Sequence, residues 1–232
     1  MYGPKFIMKN INILIAGGGT GGHLFPALAI GEEILSRSSY FKIHYVGSAF
    51  GLESKVFPIK DVWHTLLPIR GIQRDISFKS FFRNVLLPFR ILRSFHKTNK
   101  LINDFSPDVI IGTGGYASAL PLLVAYTNKK NIPIILQEQN SFPGITTRWF
   151  AKRATKVCVA FKDKELKMAG NIVHTGNPIR KGLTKGNKPL GYKNFNFKNM
   201  YKTIFLFGGS QGSSYLNNIL SQIIKEFKNA NI

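Results

Sequence analysis

Apolar and polar residues are arranged along the chain in blocks that predict its secondary structure. Short runs rich in Ile, Val and Leu are typical of buried parallel strands, which are apolar throughout because helices cover both faces of the sheet. Between these runs, apolar residues recur every three or four positions, as in helices with one buried face. Strands that alternate with helices predict an α/β, doubly wound parallel sheet with right-handed crossovers. The predicted strands cover residues 11–16, 42–46, 63–67, 107–112, 132–136 and 156–160.

The same pattern divides the chain into two parts. A polar segment rich in Lys, Asn and Gly, residues 181–202, predicts a linker or a long surface loop. A strand at 203–207, a glycine turn and a helix at 213–227 then repeat the first motif. We therefore expect one complete Rossmann-like domain over residues 1–176. Residues 177–232 would only begin a second domain, because one strand–helix unit cannot bury its strand on both faces.

The first predicted strand runs into the glycine cluster Gly17–Gly22, and Pro26 is expected in the first turn of the helix that follows. Glycines allow a tight turn and close approach to a ligand, and the N–H groups at a helix start favour phosphate. A dinucleotide site also needs an acid after the second strand, but Gly47 and Ser48 stand there. A P-loop needs Lys where His23 stands. The cluster predicts another phosphate ligand or, alternatively, a tight turn that binds nothing.

Charge also indicates an anionic partner. The 232 residues include 32 Lys and Arg against 11 Asp and Glu, a formal net charge of +21. Such an excess favours nucleic acid, an anionic lipid surface or a phosphorylated substrate. The basic residues are spread out rather than gathered in one arm, so nucleic acid is not the expected partner. Part of the excess is compositional, since Lys, Asn, Ile and Phe are abundant throughout.

Several classes of protein are not expected. Cys158 is the one cysteine, which excludes a disulfide framework and a Cys-based zinc site and fits a small core residue. The histidines show no metal-ligand spacing, so no metal is expected. The sequence contains no run of about 18 apolar residues, so no membrane-spanning helix is expected. Residues 1–10 lack the apolar core of a signal peptide.

Residues Phe78–Lys100 form a helical pattern that is interrupted or kinked at Pro88. The segment contains Arg and Lys, five Phe and no acid. Such a helix can lie on an anionic membrane surface, with its apolar side among the acyl chains and its cations at the headgroups. The alternative is an ordinary helix of the α/β layer whose apolar side packs on the sheet.

Five loops with glycine or polar signatures occur in a characteristic order, at residues 18–26, 112–116, 138–144, 176–180 and 208–212. In this order they resemble the MurG family of N-acetylglucosaminyltransferases over nearly the whole chain. The resemblance implies a GT-B architecture, in which two Rossmann-like domains face each other. It also implies inverting transfer of N-acetylglucosamine from UDP-N-acetylglucosamine to the 4-hydroxyl of the muramoyl sugar of lipid I, which forms lipid II for peptidoglycan.

The resemblance further implies which residues bind substrate. Asn140 offers both a donor and an acceptor to sugar hydroxyls. Arg180 suits a diphosphate oxygen, and Ser210 stands at a helix start that suits the leaving UDP. The full implied set of donor-sugar contacts is Thr20, Gly21, Gly22, Asn140, Arg180 and Ser210.

His23, next to the first glycine cluster, is the expected general base on the acceptor hydroxyl, since the pKa of a histidine lies near working pH. The alternative for His23 is a local hydrogen bond that closes the loop. Glu138 is the second candidate for the base. No cofactor is expected, because UDP-N-acetylglucosamine is a substrate.

The partners implied by the resemblance are UDP-N-acetylglucosamine, lipid I and an anionic membrane contacted by Phe78–Lys100. The implied location is the cytoplasmic face of the bacterial inner membrane, as a peripheral protein. The family continues beyond residue 232 with most of the nucleotide pocket, so a half that binds acceptor and membrane without transferring sugar is an alternative. A nucleotide-dependent oxidoreductase and a nucleic-acid-binding module are further alternatives, based only on the glycine motif and on the charge.

Overall fold

The computed structural model describes residues 10–71, 85–128, 130–162, 171–183, 185–198, 203–209 and 212–229. These residues form two compact units that divide after Lys181. The domain ranges 1–176 and 177–232 stay a prediction, and so do the acceptor-side role that the family resemblance implies for the first and the donor-side role that it implies for the second.

The first unit is a parallel sheet with helices on both faces. Its strands are β1 (Ile11–Ala16), β2 (Phe41–Ser48), β3 (His64–Leu67), β4 (Val109–Gly112), β5 (Ile134–Glu138), β6 (Lys156–Val159) and β7 (Ile172–His174). Its helices are α1 (Gly21–Arg37), α2 (Glu53–Ile59), α3 (Leu87–Phe105), α4 (Tyr116–Thr127) and α5 (Ile145–Phe150). The strand order is β3-β2-β1-β4-β5-β6-β7, and every pair is parallel. The predicted doubly wound sheet is confirmed.

Two core clusters lie on opposite faces of the sheet, because neighbouring residues of a strand point to opposite sides. Leu14 and Ile110 belong to the cluster that packs α3, α4 and α5. Ile13 and Ile15 belong to the cluster that packs α1 and α2. The helices that follow β1 and β4 therefore cover different faces, which opens a crevice between the loops at the carboxyl ends of these two strands.

Some local predictions were wrong. Helix α1 begins at Gly21, so Pro26 lies inside it rather than in its first turn. Gly47 and Ser48, expected after the second strand, are the last two residues of β2, and Glu53 begins α2, a helix of seven residues that is too short to show a periodic apolar pattern. The interruption expected at Pro88 agrees with the structure, because helix α3 begins at Leu87 with Pro88 in its first turn; residues 78–84 lie outside the described residues.

The second unit contains α6 (Lys188–Asn194) and α7 (Ser214–Asn229). The predicted helix at 213–227 is confirmed by α7. The strand predicted at 203–207 is wrong, because the described part of this unit offers no second strand whose backbone groups could pair with it. Within the described ranges, no helix is both long enough and apolar enough to span a bilayer.

Candidate functional site

A cleft of about 620 Å³ opens at the carboxyl ends of β1, β4 and β5, where the strand order reverses. Ligands of doubly wound sheets bind at this place because the loops on either side of the reversal diverge there. The wall is mainly apolar, with a few polar side chains converging on it, which is typical of a small-molecule site. The lining residues are His23, Gly71, Gly114, Gly115, Tyr116, Ala119, Glu138, Asn140, Gly144, Ile145, Thr146, Thr147 and Trp149.

The position of the proton on His23 follows from its two neighbours. Its Nδ1 lies 2.9 Å from the carbonyl oxygen of Thr113 and 3.3 Å from Oε1 of Gln139. The Gln139 amide is oriented by its Nε2, which donates to the carbonyl oxygens of Thr113 and Gln137. Both atoms facing Nδ1 only accept, so Nδ1 carries the hydrogen. In the neutral ring, Nε2 is then the nitrogen that can take a proton.

Two glycines make room for the His23 ring. A Cβ on Gly114 would lie 2.8 Å from His23 Nδ1, and one on Gly115 would lie 3.1 Å from His23 Cδ2. Both glycines have positive φ, 94° and 77°, which side chains rarely adopt. The Thr113 hydroxyl also donates to the main-chain oxygen of His23, at 2.8 Å. The loop after β4 therefore holds both the ring and the backbone of His23.

The glycine loop after β1 is held by a buried carboxylate that the sequence did not reveal. Glu53 is fully buried, and its two oxygens accept the N–H of Gly19 at 3.0 and 2.9 Å. Its Oε1 also accepts the N–H of Ser48 at 2.7 Å. The Gly19 N–H is thus taken by the protein itself, and the phosphate cradle predicted at Gly17–Gly22 is smaller than expected. The N–H groups of Gly21 and Gly22 have no acceptor among the described residues.

Glu138 shapes the loop after β5. It is buried, and its Oε1 accepts the backbone N–H of Asn140 at 3.1 Å and the side-chain Nδ2 of Asn140 at 3.0 Å. Its Oε2 accepts the N–H of Gly144 at 3.0 Å. Both of its oxygens are thus engaged within the loop. This arrangement favours His23 over Glu138 as the base and leaves the Asn140 Oδ1 as an acceptor at the cleft.

The structure brings most of the predicted site residues to one edge of the sheet. Thr20 precedes α1 and its carbonyl oxygen accepts the N–H groups of His23 and Leu24. Arg180 is exposed, and its guanidinium carbon lies 4.3 Å from the centroid of the Phe25 ring, one turn into the same helix. Arg180 therefore lies beside α1, which carries Gly21 and Gly22, while Asn140 lines the cleft with His23. Ser210 lies outside the described residues.

No group of three or more His, Cys, Asp or Glu side chains in the described ranges is placed to hold a metal ion. The lone thiol, Cys158, lies half-buried in β6, and burial raises its pKa.

Residues 13–159, more than half of the chain, match the family model described as the glycosyltransferase family 28 N-terminal domain. The chain belongs to glycosyltransferase family 28. The match begins in β1 and ends with β6, so the family 28 domain contains the three strands whose ends form the cleft.

Similar proteins support the same assignment. A relative from Finegoldia magna is 40% identical over 223 residues, which cover 94% of this chain and 59% of the relative. One from Christiangramia forsetii is 36% identical over 232 residues, covering 97% of this chain and 60% of the relative. Both are named UDP-N-acetylglucosamine--N-acetylmuramyl-(pentapeptide) pyrophosphoryl-undecaprenol N-acetylglucosamine transferase. The resemblance to the MurG family is confirmed, and the chain spans about three fifths of the length of these relatives.

Solved structures show the same fold. MurG of Acinetobacter baumannii aligns over 75% of this chain and 47% of its own, with a TM-score of 0.57 and 24% identity. A UDP-glucosyltransferase from Polygonum tinctorium aligns over 88% of this chain and 59% of its own, with a TM-score of 0.58 and 14% identity. The predicted fold class of the GT-B glycosyltransferases is thereby confirmed.

Proposed function

We propose that this family 28 chain takes part in the transfer of N-acetylglucosamine from UDP-N-acetylglucosamine to lipid I, which forms lipid II for peptidoglycan. The names of its relatives support the donor and the acceptor. The observation that carries the proposal within this chain is the hydrogen bonding of His23. A fixed Nδ1–H leaves Nε2 as a base beside an apolar cleft of suitable size for a sugar.

In this reaction, His23 Nε2 removes the proton from the acceptor hydroxyl as the hydroxyl oxygen attacks C1 of N-acetylglucosamine. The bond between C1 and the diphosphate oxygen of UDP breaks, and UDP leaves with the electron pair. Attack opposite the leaving group inverts the configuration at C1. Thr113 and Gln139 stabilise the imidazolium, since both accept from Nδ1–H.

The proposed donor contacts are the start of α1, the Asn140 side chain and Arg180. The Gly21 and Gly22 N–H groups suit an oxygen acceptor at a helix N-terminus. The Arg180 guanidinium has an aromatic neighbour but no carboxylate partner among the described residues, which leaves it able to bind a diphosphate oxygen. Ser210, which lies outside the described residues, stays in the set as the sequence predicts it.

The membrane contact is proposed for the described end of Phe78–Lys100. Phe89 and Leu92 of α3 are 72% and 67% exposed, and Arg93 beside them is exposed as well. Exposed apolar side chains next to cations suit an anionic bilayer surface. We therefore propose a peripheral location on the cytoplasmic face of the bacterial inner membrane, where the lipid-linked acceptor would lie.

The decisive experiment mixes the 232-residue chain with labelled UDP-N-acetylglucosamine and a short-chain lipid I analogue. Labelled lipid II analogue is the expected product, and His23→Ala should abolish most of it. Absence of product while the acceptor analogue still binds would contradict transfer by this chain. That result would support the alternative, a half that binds acceptor and needs a second chain to transfer sugar.

A further inference from the structure

Two arginines that lie far apart in the sequence stack on one aromatic ring near the cleft. The guanidinium carbons of Arg70 and Arg90 lie 3.8 and 5.3 Å from the centroid of the Phe50 ring. Phe50 follows β2, Arg70 follows β3, and Arg90 is in the first turn of α3. The cation–π contacts attract each guanidinium to the ring but do not neutralise its charge.

Positive charge at this place is not balanced within the described residues. No carboxylate there pairs with either arginine. The Arg70 Nε is buried and has no hydrogen-bond partner in the described ranges. A buried N–H without an acceptor is unfavourable, so an incoming oxyanion that accepts from it is favoured.

The helix dipole adds to the same field. Arg90 lies at the N-terminal end of α3, whose first turn contains no acid. A cation is unfavourable at this end of a helix, whereas an anion is stabilised there. The positive charges of the two guanidinium groups and of the helix N-terminus therefore act together. An anion bound between them would be attracted by all three.

The geometry of this cluster is set before any ligand arrives. Ser48 is fully buried, and its hydroxyl donates to the carbonyl oxygen of Ile69, the residue before Arg70, at 2.6 Å. The same hydroxyl oxygen accepts the N–H of Phe50 at 3.0 Å. One side chain thus ties the backbones of Phe50 and Ile69 together, which lowers the ordering cost of binding.

We propose that Arg70 and Arg90 bind a diphosphate, and that on the proposed function this is the diphosphate of the prenyl-linked acceptor. Gly71, the neighbour of Arg70, lines the cleft and lies against the Tyr116 ring. A diphosphate at Arg70 would thus place an attached sugar in the cleft. The exposed apolar residues of α3 begin at the same end of the helix as Arg90 and would meet the prenyl tail.

The test measures binding by calorimetry, without any sugar transfer. Inorganic pyrophosphate and geranyl diphosphate are titrated into the full chain and into Arg70→Gln and Arg90→Gln. We expect Arg70→Gln to weaken the binding of both probes by about tenfold or more, and Arg90→Gln by about fivefold, because each loses a charge-assisted hydrogen bond. Unchanged binding in both variants would overturn the proposal.

Arg153→Gln is the matched control. Its guanidinium also stacks on an aromatic ring, 4.5 Å from the Tyr126 centroid, and the substitution removes the same charge. Binding within twofold of the unmodified chain is expected. If Arg153→Gln loses as much binding as Arg70→Gln, the loss reflects the lower net charge of the protein and not a specific site. This result would also overturn the proposal. If circular dichroism shows that Arg70→Gln does not fold, the binding of the two probes by Arg90→Gln and Arg90→Lys decides the outcome, because Arg90 is half-exposed.

Vesicles of phosphatidylglycerol separate the two possible sources of phosphate. We expect Arg70→Gln to bind these vesicles as the unmodified chain does. If it loses vesicle binding as strongly as diphosphate binding, the phosphate belongs to a lipid headgroup and the acceptor assignment is overturned. Diphosphate binding that depends on Arg70, together with failure of sugar transfer, would contradict the proposed function and support this site.

Discussion

The carboxylate of Glu53 accepts the N–H of Gly19 with both of its oxygens, at 3.0 and 2.9 Å. This contact joins the first residue of α2 to the loop after β1, so a helix that carries no part of the cleft shapes the approach to it. A negative group of the protein occupies a position that glycine-rich loops commonly leave for a ligand's phosphate.

Replacing Glu53 by Gln should destabilise the fold. The amide keeps one acceptor and loses the charge, while its NH₂ group faces backbone donors. We expect the free energy of unfolding, measured by urea denaturation, to fall by about 2 kcal/mol. Glu33→Gln is the control, because Glu33 is exposed and pairs only with surface cations, and no measurable change is expected. Equal stability of Glu53→Gln and the unmodified chain would contradict the structural role.

Gly115→Ala should damage the cleft. Gly115 has a φ of 77°, and an added Cβ would collide with the carbonyl oxygen of Gly18. A loss of about 2–4 kcal/mol is expected in the same unfolding measurement. Gly186→Ala provides the comparison, since no atom lies within 4 Å of its added Cβ, and its stability should not decrease. A tolerated alanine at 115 would show that the loop after β4 adopts another conformation.

His23→Ala should separate catalysis from binding. Loss of a general base lowers kcat by about 10²–10⁴-fold, whereas the dissociation constant of UDP-N-acetylglucosamine should stay the same. The readouts are steady-state transfer and equilibrium binding of the donor. His174→Gln, a change at an exposed histidine of β7, should preserve kcat. A variant without His23 that keeps its full kcat would exclude this residue as the base.

His44 should make the fold sensitive to acid. Burial lowers its pKa to about 4, and the neighbouring His64 contributes to the same shift. Its Nε2 lies 2.8 Å from the Thr65 hydroxyl, and its ring packs against Trp63 and Phe105. The folded state thus favours the neutral ring, while the unfolded chain takes up a proton near pH 6.5.

The resulting stabilisation is fully present above about pH 6.5 and is lost as the pH falls towards 4. We expect the free energy of unfolding to drop by about 3 kcal/mol at most over this range. His44→Phe, which cannot titrate, should show a smaller drop than the unmodified chain. His96→Gln, at an exposed position of α3, should follow the unmodified chain. Identical pH dependence in His44→Phe would contradict a neutral buried ring.

Leu92→Glu should weaken membrane binding. The side chain is 67% exposed on α3, and a carboxylate there would meet the anionic surface instead of an apolar group. In sedimentation with phosphatidylglycerol vesicles, Leu92→Glu should partition onto the vesicles about tenfold or more weakly than the unmodified chain. Ile59→Glu, at an apolar residue that is 84% exposed on α2, should partition more strongly than Leu92→Glu. Equal binding by Leu92→Glu and the unmodified chain would exclude this face of α3.

The strands of the first unit were predictable because each is an apolar run with a helix on either side. β7 was not, since it is an edge strand of three exposed residues, of which only two are apolar, and this is too short to show a strand pattern. The run at 203–207 has the right composition but no partner strand in the described part of its unit. Composition therefore indicates where a strand is possible, and pairing decides whether it forms.

The candidate site was predictable where its residues follow strands directly. His23 and Asn140 come after β1 and β5, and parallel strands bring their carboxyl ends to one edge. The roles of Glu53 and Arg70 depend on contacts with residues distant in sequence, which no local pattern encodes. Their only sequence signal is the presence of an acid and an arginine beside glycines after strands β2 and β3.

The glycine pair beneath His23 limits how the cleft can evolve. A side chain at residue 114 or 115 would collide with the imidazole of His23. A substitution at one of the positions 23, 114 and 115 is therefore expected to need changes at the others. Substitutions should destabilise the fold less at Ile145 and Trp149, which also line the cleft and are largely exposed. Among descendants of this scaffold we expect new acceptor preferences to arise from α5, while the histidine and its two glycines stay as they are.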